Sequence, residues 1–264
     1  MAADIVTANL RRAFRAKFWL AAVLFAAALG FDSGGSIVWA LRNPVDPQSV
    51  TSVHYFYFNA VSFGGAYSHY LAAMLAGLPF AGSYAEELAM FPYLLSRTRT
   101  VRYCLSKMAC AALSGGLALT AGAFLFLAVL SLKLPLVTEA KLFESQWIPF
   151  YELLSTGSGI SYFVVCLYFA FLSGALWSGA AMLVSVYLPD KLVVTVSPFV
   201  LSFVLTQICR LTKLDDHFRL DRMLSVRVWL GSVGATIAAA TLAVAGIWLV
   251  CCVWFTRRVK RGLR

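Results

Sequence analysis

Residues 78–107 read LPFAGSYAEELAMFPYLLSRTRTVRYCLSK. An apolar run meets two adjacent carboxylates, Glu86 and Glu87. A short mixed segment follows, then Arg97, Arg99 and Arg102, then a second apolar run. Charge this dense is costly in hydrocarbon. The stretch therefore leaves the membrane by one apolar helix and re-enters it by another. That reading decides the class: an all-α, polytopic membrane protein whose charged connection is built for a task at the surface.

Composition agrees. Of 264 residues, 61% are hydrophobic and only 13% charged, where soluble domains carry roughly 25% charged residues. Mean hydropathy is +0.78. Six cysteines fall in or beside apolar runs, without a CxxC pair or a spaced Cys/His set, and read as small apolar fillers.

Outward from the quoted stretch, six transmembrane helices are expected. Span one covers 18–40, interrupted at Asp32-Ser33-Gly34-Gly35. Span two lies within 57–85, unsettled by Gly64, Gly65 and His69 and kinked at Pro79. Spans three to six are expected at 103–132, 159–188, 192–209 and 226–256. Residues 1–17 carry Val6, Leu10 and Phe14 at four-residue spacing, with Arg11, Arg12, Arg15 and Lys17 mostly on other faces. This predicts an amphipathic interfacial helix. A competing reading makes the same region a signal peptide with FWLAAVLFAAALG as its apolar core. The division is then an interfacial helix 1–17, a membrane domain 18–256 and a basic tail 257–264.

Six spans place both termini on one side. That side holds 14 of the 22 Lys and Arg residues and 4 of the 12 acids; the other holds 8 of each, so the whole net charge of +10 lies on one face. The positive-inside rule makes that face cytoplasmic. Topology thus accounts for the high pI, and no nucleic-acid partner is implied.

Chemistry-bearing patterns are sparse. There is no GxxxxGK[ST] phosphate loop, so ATP binding by this chain is not expected. His54, His69 and His217 are too scattered for a metal motif, and Gly157-Ser158-Gly159 follows no strand. Asp215, Asp216 and His217 read as a solvated outer loop. The spans carry almost no charge, which argues against a proton-relay pump or a charge-coupled secondary transporter. Gly174 with Ser178, and Gly231 with Ala235, follow the small-xxx-small pattern of close helix packing.

Leu78-Pro79-Phe80, Ser83, Glu86-Glu87, Leu95-Ser96-Arg97, Arg102-Tyr103 and Lys107 form a pattern that resembles the permease subunits of ABC-2 type transporters. The likeness is to the small bacterial branch associated with peptide, bacteriocin or drug export. The motif covers about 30 residues of the chain; Ala89-Met90 departs from it where a glycine is expected. The resemblance implies a multi-pass subunit of the bacterial cell membrane. It would pair with a second permease copy or paralogue and sit on separate ATP-binding subunits, which carry the ATP. Residues of about 84–100 would form a cytoplasmic coupling helix between spans two and three, with Glu86, Glu87, Arg97, Arg99, Arg102, Tyr103 and Lys107 as its partner-binding residues. Such a chain is not itself an enzyme and binds no cofactor or metal. Two other classes compete: a non-transport immunity or sensor subunit, and a membrane-embedded lipid-modifying enzyme. The second needs a His, Asp, Ser or Cys cluster near the interface, which the sequence does not display.

Overall fold

The structure is a computed structural model that describes residues 2–34, 36–42, 52–63, 66–90, 93, 99–138, 149–155 and 159–261. Among these the chain forms helices and no strands. In order they are α1 (Ala2–Ala13), α2 (Ala16–Asp32), α3 (Ser36–Arg42), α4 (Val53–Phe58), α5 (Ala66–Gly77), α6 (Ser83–Glu87), α7 (Thr100–Ser131), α8 (Tyr151–Ser155), α9 (Ile160–Ser185), α10 (Lys191–Leu211), α11 (Leu220–Leu224) and α12 (Val233–Arg261).

Among the described residues four helices, α7, α9, α10 and α12, are long and apolar enough to cross a membrane. At 1.5 Å per residue, even the 21 residues of α10 extend about 32 Å, against a hydrocarbon core of about 30 Å. A helix is the form such a segment takes because it satisfies its own N–H and C=O groups where no water can. Asp190 starts α10 by accepting from the N–H groups of Leu192 (2.8 Å) and Val193 (3.0 Å).

The first two expected spans are not single long helices. Span one, expected over 18–40, is α2 of 17 residues, then a break, then the short α3. Gly34 takes a left-handed φ of 74° at the break. The Asp32 carboxylate accepts from the N–H groups of Tyr67 and Ser68, which pins the start of α5 beside the end of α2. α1 and α2 together also form a bent apolar pair, at 45°. Span two is α4, a π-turn over Asn59–Phe63, and the 12-residue α5; residues 64 and 65 lie outside the described set. Pro79 does not kink a continuing helix. α5 stops at Gly77, and Leu78–Gly82 form a turn because proline lacks the N–H that would continue the ladder. The last helix begins at Val233 rather than 226, because Val226 (φ 58°) and Gly231 (φ 81°) hold left-handed backbone ahead of it.

α7 and α9 form the centre, with α2, α5 and α12 packed around them. Glycines set the spacing. A Cβ on Gly115 would stand 2.7 Å from the Ala76 carbonyl oxygen and 2.8 Å from that of Gly174. Gly174 and Ser178 thus meet α7 at close range, and the Ser178 hydroxyl donates to the Ala111 carbonyl at 2.7 Å. Gly231 plays no such part: it precedes α12, and a Cβ there would meet nothing within 4 Å. α10 and α12 lie outside and expose Phe199, Phe203, Leu242 and Leu249, as lipid-facing helices do.

The long helices alternate in direction between two ends of the bundle. Lys133 Nζ donates to the Leu41 carbonyl (3.2 Å), and the His54 N–H to that of Leu136 (3.1 Å), which places α3, α4 and the end of α7 together. Arg12, Glu86, Lys107 and Lys191 gather at the opposite end.

Candidate functional site

Glu86 and Glu87 come from the short helix α6, which follows the Leu78–Gly82 turn. Each carboxylate is shared among several helices. Glu87 Oε1 accepts from Arg12 Nη1 of α1 (2.7 Å) and Lys107 Nζ of α7 (2.6 Å). Its Oε2 accepts from the Tyr103 hydroxyl of α7 at 2.8 Å. Glu86 takes the second nitrogen of the Arg12 guanidinium, so one arginine grips both acids. Lys191 of α10 lies 3.2 Å, and Lys17 of α2 3.7 Å, from Glu86 Oε1. Seven residues from α1, α2, α6, α7 and α10 thus meet in one network.

Lys107 decides its character. The side chain is 1% exposed, and a buried ammonium is tolerable only when paired and hydrogen-bonded. Glu87 supplies the charge. The Ser83 hydroxyl lies 3.2 Å from Nζ, and the Phe80 ring sits 4.9 Å below it. Tyr103 is likewise buried. Burial alone would raise the Glu86 pKa, but the hydrogen bonds from Arg12 and Lys191 outweigh it and hold the carboxyl below its usual range.

α1 is held to the bundle by more than charge. Asn9 Nδ2 donates to the Ser106 hydroxyl at 3.1 Å, and the small Ala13 is fully buried. The expected Val6–Leu10–Phe14 stripe is therefore divided. Leu10 packs inward beside Ala13, while Val6 and Phe14 stay exposed. The close approach follows from the small and polar residues at 13 and 9, on the face just beside the apolar one.

The expected partner-binding residues fall into two groups. Glu86, Glu87, Tyr103 and Lys107 form the internal clamp. Arg99 and Arg102 are exposed at the start of α7, and Arg97 lies outside the described residues. Met90 and Tyr93, 65% and 77% exposed, stand on the same connection. Arg12, Lys17 and Lys191 are clamp members that motif reading missed. The signal for them was indirect: four acids among 14 cations on one face leave each acid several candidate partners.

Among the described residues no three of His, Cys, Asp and Glu gather as a metal set. His54 is buried, stacked on Phe58 and edge-on to Tyr162, and the six cysteines are buried and unpaired as disulfides. Asp216 pairs with Arg222 at 2.6 Å, and Asp221 with Arg219 at 2.7 Å, in the connection before α12. No protein-family model, no curated protein and no solved structure matches this chain.

Proposed function

We propose that the chain is the permease subunit of an ATP-binding cassette exporter of the ABC-2 type. It would move a peptide, lipid-like or drug-like substrate across a bacterial cell membrane, with ATP hydrolysed on a partner subunit. On this reading α2 and α4–α5 are the first two of six crossings, both termini are cytoplasmic, and a second permease copy completes the pathway.

One observation carries the proposal. The two acids of α6 are tied at once to α1, α2, α7 and α10, so a push on the connection after α6 is delivered to four helices rather than one. Arg99, Arg102, Met90 and Tyr93 lie exposed on that connection, a set of side chains suited to a protein partner. A rigid clamp behind a sticky surface is what a lever needs.

A second reading, a non-transport immunity or sensor subunit, draws on the same clamp: with Glu86 and Glu87 satisfied internally, the network also suits a purely architectural role. Co-expression with a candidate P-loop ATPase of the ABC type, sought among neighbouring reading frames, separates the two. The exporter reading expects copurification and permease-dependent ATP hydrolysis. It also expects Arg99→Glu/Arg102→Glu to weaken the complex by about tenfold or more, from the loss of charge-assisted contacts. A well-inserted variant that keeps full coupling would remove the connection from the lever.

A further inference from the structure

Beside the clamp, the α1–α2 bend, the turn after α5 and the start of α10 enclose a cavity of about 410 Å³. That is within the roughly 300–1,000 Å³ of small-molecule sites. Its walls carry four cations, Arg12, Arg15, Lys17 and Lys191, against one carboxylate, Glu86. Three of those cations already converge on Glu86, which cannot neutralise them all. Arg15 has no acidic partner among the described residues. α2 adds donors of the same sense: Ala16 and Lys17 line the cavity, and no side chain caps the helix's first turn. The rest of the wall combines the apolar Leu78, Pro79 and Phe80 with Ser83 and Thr195, and Gly82 leaves the floor open, its nearest neighbour for a Cβ being Lys191 Cγ at 4.0 Å.

We infer that this cavity binds a phosphate anion, either the headgroup phosphodiester of an anionic membrane lipid or a free phosphate. Guanidinium and ammonium groups in surplus, uncapped helix amides and an apolar wall fit that chemistry, and an inner leaflet rich in anionic lipid supplies it at this depth. The inference does not depend on the transporter reading, since it uses only the geometry of the charged end.

The test uses the full chain in neutral detergent at fixed ionic strength. Calorimetric titrations are run with dioctanoyl phosphatidylglycerol, dioctanoyl phosphatidylcholine and inorganic phosphate. Phosphatidylglycerol is expected to bind saturably. Phosphatidylcholine, whose choline cation the four cations repel, is expected to bind far more weakly. Arg15→Gln/Lys17→Gln should weaken binding about tenfold or more. Arg257→Gln/Arg261→Gln, which removes as much charge elsewhere at the same end, should leave it within about twofold. Gly82→Leu, at an ordinary φ of −71°, should block the site without altering charge. If inorganic phosphate binds as tightly as phosphatidylglycerol, with the same response to the variants, the site stands and its ligand is a soluble phosphate. Three results would overturn the proposal: no saturable binding of either anion, equal loss in both double variants, or full binding by a folded Gly82→Leu chain. Should Gly82→Leu not fold, the two double variants decide.

Discussion

At Lys107 a single carboxylate keeps an ammonium inside the protein. The pair Lys107–Glu87 is asymmetric, because Glu87 has two other donors and Lys107 has no other charge. Glu87→Gln leaves a buried cation uncompensated, a loss of about 3–5 kcal/mol. Lys107→Met removes the cation and leaves Glu87 to Arg12 and Tyr103, so it should be much milder. Thermal unfolding of the two variants in detergent checks the order, and equal losses would mean that the pair does not carry the load. Glu86 has its own pH signature. Its folded pKa is depressed, so its contribution is complete above the ordinary glutamate value of about 4.3 and is lost as pH falls through the lower folded value. Amide exchange in α1, corrected for its intrinsic pH dependence, should show the helix docked from pH 7 to 5 and released only in more acidic solution. The sequence displayed these acids and their basic surroundings plainly. It could not display which cation reaches which oxygen, because Arg12 lies 75 residues from Glu87 and no periodicity spans that distance.

At the scale of elements, the apolar runs that became α7, α9 and α10 could be read to within about three residues. Length and hydropathy suffice where a helix is continuous. They fail where the helix is interrupted: Asp32 binds the amides of α5 from 35 and 36 residues away, and neither the π-turn at Asn59–Phe63 nor the left-handed Val226 shows in hydropathy. The α7–α9 contact is where elements are least forgiving. A Cβ on Gly174 would stand 2.7 Å from the Gly115 carbonyl carbon and 2.8 Å from Gly116 Cα, both backbone atoms that cannot rotate away. Gly174→Ala should therefore cost about 1–3 kcal/mol by forcing the helices apart. Gly246→Ala on α12, where a Cβ meets nothing within 4 Å, should be neutral or stabilising by about 0.5–1 kcal/mol. Detergent unfolding midpoints of the two variants should move in opposite directions or differ clearly in size.

Across the whole molecule, charge is sorted by end. The end with the clamp holds α1, the start of α7 and the α9–α10 turn, and the Arg258 guanidinium lies 5.3 Å over the Tyr187 ring, which brings the end of α12 there too. On the proposed reading this end faces the cytoplasm, because the positive-inside rule places the more basic side there. Single cysteines placed at Arg99 and Lys133, with the six native ones replaced, should label from opposite sides of an intact cell, Lys133 from outside. Label reaching Arg99 from outside would invert the topology. The clamp also has a history in time. α1 leaves the ribosome before α7: Ser106, the partner of Asn9, follows 97 residues later, which at 5–20 residues per second is about 5–20 s. Until Glu86 and Glu87 emerge, 74 and 75 residues after Arg12, α1 has neither clamp carboxylate to hold. Closure of the clamp then marks the arrival of α7, and the arrival of Lys191 tightens it, so the order of synthesis is written into the order of locking.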